Sequence, residues 1–129
     1  CDYDHGTGHG IGSFLSVHEG PQRIGKSQGQ IEGYLKQGMI LSNEPGYYKN
    51  GEYGIRIENL IICSSKNKEN LYFENISWAP IDRELCEVSL LDQNEIKWIN
   101  EYHQKVYDLI SPNLNDKENK WLYSVTRSL

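Results

Sequence analysis

The spacing of apolar residues changes twice along this chain. From Cys1 to Gly38 it has no sustained period: glycine stands at positions 6, 8, 10, 12, 20, 25, 29, 33 and 38, which predicts loop with one short extended run at "SFLSVH". From Met39 the period becomes that of a strand. "MILSNE" and "YGIRIENLIIC" read as strands, and the "PGYYKNGE" between them carries Pro-Gly and Asn-Gly turn signals, so an antiparallel pair is expected. From about Ile81 the period lengthens to that of a helix. In "SLLDQNEIKWINEYHQKVYDLISP", Asp92 and Glu95 are spaced as a capping box; Ile96, Ile99, Val106 and Ile110 then recur on an apolar face, and Ser-Pro stops the run. A second, shorter helix is expected from about Asp116 to Thr126, burying Trp121, Leu122 and Val125. The order, antiparallel strands followed by helices, predicts an α+β fold, and no segment repeats.

Strand alternation brings particular side chains together. In "GIRIEN", Ile55 and Ile57 point one way while Arg56 and Glu58 point the other. In "MILSNE", Ile40, Ser42 and Glu44 share a face, with Glu44 at the end where Pro45 and Gly46 turn the chain. If the two strands pair, Glu44 and Glu58 converge. Two carboxylates in contact repel, so such a pair persists only with a proton, an arginine or a metal ion between them.

Composition narrows the chemistry further. With 129 residues, 37% hydrophobic and 24% charged, the chain is one ordinary globular unit with a modest core. Its net charge of −5, with Lys and Glu intermixed, argues against a nucleic-acid footprint. Cys1, Cys63 and Cys86 are an odd number without a Cys-x-x-Cys pair, so neither a disulfide framework nor a thiolate zinc site is suggested and a reducing cytoplasm is expected. There is no signal peptide and no run of apolar residues long enough to span a bilayer, so the chain reads as soluble. It begins with Cys rather than Met, and its richest motif starts almost at once. The expectation is that something upstream is missing.

That motif is "HGTGHGIGSFLSVHEGP", from His5, with three imidazoles on a glycine-rich segment. Neutral imidazole with two or more carboxylates and no thiolate suits Mn²⁺, Co²⁺, Fe²⁺ or Zn²⁺. Two look-alikes fail. "GTGHGIG" lacks the glycine spacing and preceding strand of a dinucleotide loop, and "HEGPQ" has Gln22 where a zincin's second His belongs, with Pro21 breaking the required helix. Singly, each remaining residue has an ordinary reading, Glu58 as a surface ion-pair partner and any one His as a packed or surface side chain.

The joint pattern goes further. "HGTGHGIGSFLSVHEGP", "NEPGYY" and "GEYGIRIENL", in that order, resemble the catalytic half of the pita-bread metallopeptidases, and among them the proline-specific aminopeptidases called aminopeptidase P. The stretch "LYFENISWAPIDRELCEVSLLDQNEIKWINEYHQKV" is similar to the C-terminal segment of the larger, cytosolic-type members. Methionine aminopeptidase, prolidase and creatinase share the scaffold but are less similar to this tail. The resemblance implies the C-terminal half of a pita-bread fold, with residues 1–80 as part of the catalytic domain and 81–129 as the helical C-terminal segment. It implies that His9 and Glu44 are ligands of one metal ion and that Glu58 bridges two. It implies that His5 and His18 flank the substrate, that Glu44 takes a proton from the attacking water, and that Tyr48 and Arg56 steady the ligands of the other ion. The implied cofactor is two divalent ions, Mn²⁺ first, with Zn²⁺, Co²⁺ or Fe²⁺ as alternatives. The implied reaction is hydrolysis of an N-terminal Xaa-Pro bond by metal-activated water.

The sequence departs from the family pattern in one respect. The two aspartate ligands lie upstream of the first His-Gly-Thr-Gly-His element and have no counterpart here; Asp2 and Asp4 adjoin His5 and are not assigned as ligands. The expected partners are therefore a peptide with proline in second position, the missing N-terminal half in cis or in trans, and a second copy as a homodimer. Without that half the chain is expected to be inactive. The competing readings are a non-catalytic remnant that serves as an interaction module and a prolidase-like dipeptidase.

Overall fold

The computed structural model describes residues 2–14, 16–26, 34–67 and 70–129. It divides into two compact units, Cys1–Ser77 and Trp78–Leu129. Part of the glycine-rich loop expected near the N-terminus, 27–33, lies outside the described residues, as do Cys1 and Leu15.

The first unit is built on antiparallel strands. β1 (Gly8–His9) pairs with β2 (Arg23–Ile24), β4 (Gly46–Lys49) with β5 (Tyr53–Arg56), and β3 (Ile40–Asn43), β6 (Asn59–Asn67) and β7 (Asn70–Asn75) form a sheet in the order β3-β6-β7. Leu41 faces Ile61 across β3 and β6, both are buried, and Cys63 extends the same buried row. Cross-strand apolar pairs of this kind hold a sheet in register. β1 lies against the other edge of β3: Gly10 bridges Leu41, and the Glu44 backbone N–H donates to the Thr7 carbonyl at 2.7 Å. The last paired residues of β3 and β6 are Asn43 and Asn59, so Glu44 and Glu58 leave the sheet at the same end.

Three sequence expectations change here. "SFLSVH" is not extended among its described residues: the Gly12 N–H donates to the Ser16 carbonyl at 2.8 Å and closes a turn, with Phe14 and Val17 exposed. With those side chains left in solvent, alternation alone does not make a strand there. "PGYYKNGE" is not merely a turn, because "GYYK" is β4, and Gly51, at φ 74°, carries the reversal into β5. The run "YGIRIENLIIC" divides at Ile57–Glu58 into β5 and β6, which serve different partners. "NLYFEN", not assigned as a strand from sequence, is β7.

In the second unit, α1 spans Gln93–Ile110 and α2 spans Asp116–Val125. Asp92 caps α1 in a reciprocal capping box with Glu95, as its spacing predicts, and Asn115 with Glu118 does the same for α2. Tyr102, Val106 and Leu122 form the core, with Trp78, Ile81 and Val125 packed against it. Trp121 is a correction: it is exposed, one residue and about 100° of helix rotation from buried Leu122. No helix among the described residues is long and apolar enough to cross a membrane.

His103, on α1, is fully buried. Its Nε2 accepts the Ile81 backbone N–H at 3.0 Å, so the neutral ring carries its proton on Nδ1. Burial, assisted by the nearby Arg83 guanidinium, holds its pKa below the ordinary 6.5. The unfolded chain therefore binds this proton more readily than the folded one. The resulting stability is fully present above pH 6.5 and declines as pH falls from there toward the depressed folded value. Urea midpoints between pH 5 and 8 for the wild type and His103→Gln should diverge on the acid side, the wild type losing more. Parallel profiles would show that His103 does not contribute.

Candidate metal centre

The site forms where β1, β3 and β5 meet, and the local chain paths explain why. β1 approaches β3 so closely that a Cβ on Gly8 would stand 2.3 Å from the Ser42 carbonyl oxygen. Only glycine permits that approach, and it sets His9 beside the end of β3. The His9 backbone N–H donates to Ser42 Oγ at 3.0 Å, and His9 Nδ1 lies 2.9 Å from the Gly10 carbonyl oxygen. A carbonyl only accepts, so Nδ1 carries a proton, and Nε2 is the ring atom left for a second proton or a metal ion. Nε2 faces Glu44 Oε1 at 3.0 Å.

Two acceptors this close need a proton or a cation between them. An Nδ1–H tied to a backbone carbonyl with a free Nε2 is also the arrangement of a metal-binding imidazole. On donor chemistry, then, His9 and Glu44 fit a divalent cation. Glu44 is mostly buried, and its other oxygen accepts from the Arg56 guanidinium at 3.0 Å. Arg56 Nε lies 3.3 Å from Glu58 Oε2, so the arginine stands between the two glutamates, one of the three solutions that alternation along the strands requires. Among the described residues, no three His, Cys, Asp or Glu side chains come close enough together to hold a metal ion. The structure thus joins His9 to Glu44 directly and brings in Glu58 only through Arg56.

The other two histidines of the N-terminal motif occupy different places. The His18 ring lies 4.1 Å from that of His9, centroid to centroid. His5 has Nδ1 2.6 Å from the Gly6 carbonyl oxygen and Nε2 3.1 Å from that of Gly46, and Tyr48 meets its ring edge-on at 5.4 Å. Tyr48 therefore contacts His5, whereas Arg56 pairs with both Glu44 and Glu58. An open cleft of about 700 Å³ runs past Tyr3, His5, His9, Arg23 and Ile24. Asp2 is ion-paired with Lys26. Strand alternation places Ser42 on one face with Glu44, while its contact with the His9 backbone depends on the crossing of β1 and β3.

Residues 1–65, just over half of the chain, match the family model for metallopeptidase family M24, and residues 69–129 match that for the C-terminal region of peptidase M24. The chain belongs to metallopeptidase family M24. It is 50% identical over 130 residues to a probable Xaa-Pro aminopeptidase P of Coprinopsis cinerea, covering 94% of this chain and 21% of that protein. It is 44% identical over 133 residues to aminopeptidase P1 of Lotus japonicus, covering 97% of this chain and 20% of that protein. Among solved structures, the X-prolyl aminopeptidase of Caenorhabditis elegans, described as a cytosolic enzyme with a di-nuclear active site, matches with a TM-score of 0.85 at 36% identity. That match covers 99% of this chain and 22% of the other. The M24 chain thus spans about a fifth of the length of these relatives and has the fold of the C-terminal half of a pita-bread enzyme.

Proposed function

We propose that this chain carries one side of the active site of a Xaa-Pro aminopeptidase, and that it acts together with the upstream segment its relatives possess. The observation that carries this reading is His9 Nε2 set 3.0 Å from Glu44 Oε1, with Nδ1 anchored on the Gly10 carbonyl. His9 and Glu44 would hold a divalent ion, and Glu58 would supply a further carboxylate to the centre; the di-nuclear site described for the C. elegans relative supports a count of two ions. The imidazole and carboxylate donors fit Mn²⁺, with Zn²⁺, Co²⁺ or Fe²⁺ as alternatives. When bound, such ions polarise a scissile carbonyl and activate water for attack.

The chain's own residues do the rest. Glu44 accepts a proton at its carboxylate, and Arg56 balances the charge of Glu44 and Glu58. His5 and His18 hold and protonate the peptide beside the ions, with the cleft past His5 and His9 as its approach. The peptide carries proline in its second position. Free Cys63 and Cys86, and the cytosolic relative, support a cytoplasmic location.

The test grafts this chain onto the upstream portion of the Coprinopsis cinerea protein, replacing the segment it matches. The chimera should hydrolyse a Xaa-Pro peptide in Mn²⁺, whereas the 129-residue chain alone should bind Mn²⁺ weakly and turn over hardly at all. An inert chimera that folds would favour the non-catalytic reading. A prolidase-like dipeptidase would show itself by accepting only dipeptides.

A further inference from the structure

Ser42 is a fully buried hydroxyl whose bonds have only one sense. Its Oγ lies 3.0 Å from the His9 backbone nitrogen, which can only donate, and 2.7 Å from Glu44 Oε1, which as a carboxylate can only accept. The hydroxyl must therefore accept from His9 and donate to Glu44. It is one relay joining the backbone of one side chain to the carboxylate of the other.

We infer that Ser42 is a positioning residue of the metal centre, resting on the function proposed above: it fixes the distance and orientation at which His9 Nε2 and Glu44 Oε1 present their lone pairs. The geometry of the carboxylate supports this. Oε1 receives Ser42 and faces His9, while Oε2 is held by Arg56, so both oxygens are tied from different strands. Arg56 is about half exposed and its hold is screened by water, whereas Ser42 is enclosed in the sheet. β3 carries both Ser42 and the approach to Glu44, and Gly8 packs against the Ser42 carbonyl, so the hydroxyl sits at the crossing of β1 and β3. Loss of the hydroxyl would leave Glu44 without its buried donor and the His9 N–H without its acceptor. The ligands would remain present but no longer be held in place.

Ser42→Thr and Ser42→Val make the decisive pair, because they share a shape and differ in the hydroxyl. In the chimera, Ser42→Val should bind Mn²⁺ about 10- to 100-fold more weakly than Ser42→Thr, the usual effect of removing an outer hydrogen bond to a ligand. At saturating Mn²⁺, kcat should fall while KM changes little, and Ser42→Thr should recover both affinity and kcat. In the 129-residue chain, the His9 backbone amide should exchange faster in Ser42→Val than in Ser42→Thr. Equal metal affinities and equal His9 exchange in the two variants would overturn the inference, since a packing role depends on shape alone. If the wild-type chimera neither bound Mn²⁺ nor turned over, the functional reading would fail, and the His9 amide would still decide whether Ser42 ties the two side chains together.

Discussion

Replacing His9 by Ala is expected to remove metal and activity together from the chimera, with turnover falling more than about 10³-fold, beyond the usual cost of a single electrostatic contact. His9 is the imidazole with a free Nε2 aimed at a carboxylate, and nothing else on β1 can take its place. Glu58→Ala should also lower metal content if the carboxylate is shared between ions, and it leaves Arg56 with Glu44 alone. His18→Ala should behave differently. Its ring lies beside that of His9, and the proposed function gives it the substrate rather than the metal. The variant is expected to keep near-normal metal content and to lose about 10²- to 10⁴-fold in kcat/KM, the range for a general acid–base or oxyanion contact. His5→Ala should follow His18→Ala. Metal analysis alongside kinetics separates these classes: full metal retention in His9→Ala, or loss of metal in His5→Ala or His18→Ala, would reverse the assignment of the imidazoles.

How much of this was legible in the sequence depends on which forces act locally. The capping box at Asp92 and Glu95 and the extent of α1 follow from contacts within a few residues, and the structure has both as read. The neighbouring placement of Arg56 and Glu58 follows from strand alternation and is likewise present. What sequence missed depends on long-range packing. The split of "YGIRIENLIIC" into two strands is invisible to periodicity, because alternation continues across it while the hydrogen-bond partners change from β4 to β3. His103 resembles a polar position on a helix and is buried only because Tyr102 and Val106 on either side carry that face into the core. Ser42 carried a signal, two residues before Glu44 on one strand. Its second bond, to the His9 backbone, needed the crossing of β1 over β3.

That crossing is what Gly8→Ala would destroy, and its effect should be large. The added Cβ would lie 2.3 Å from the Ser42 carbonyl oxygen and 2.8 Å from Ile24 Cδ1. The first obstacle is backbone inside a sheet and cannot rotate aside, so β1 must move off β3. Moving it breaks the Glu44 N–H bond to the Thr7 carbonyl, the Gly10 bridge to Leu41 and the His9 bond to Ser42. His9 then no longer faces Glu44, and metal affinity should fall with the fold of the loop. Gly51→Ala is the control. Gly51 has φ 74° but nothing within 4 Å of a Cβ, so Ala there costs only left-handed backbone strain, about 1–2 kcal/mol. In the chimera, Gly8→Ala should lose Mn²⁺ affinity and activity, whereas Gly51→Ala should lose thermal stability and keep both. If Gly8→Ala bound Mn²⁺ as the wild type does, the contact between β1 and β3 would not be what holds His9 against Glu44.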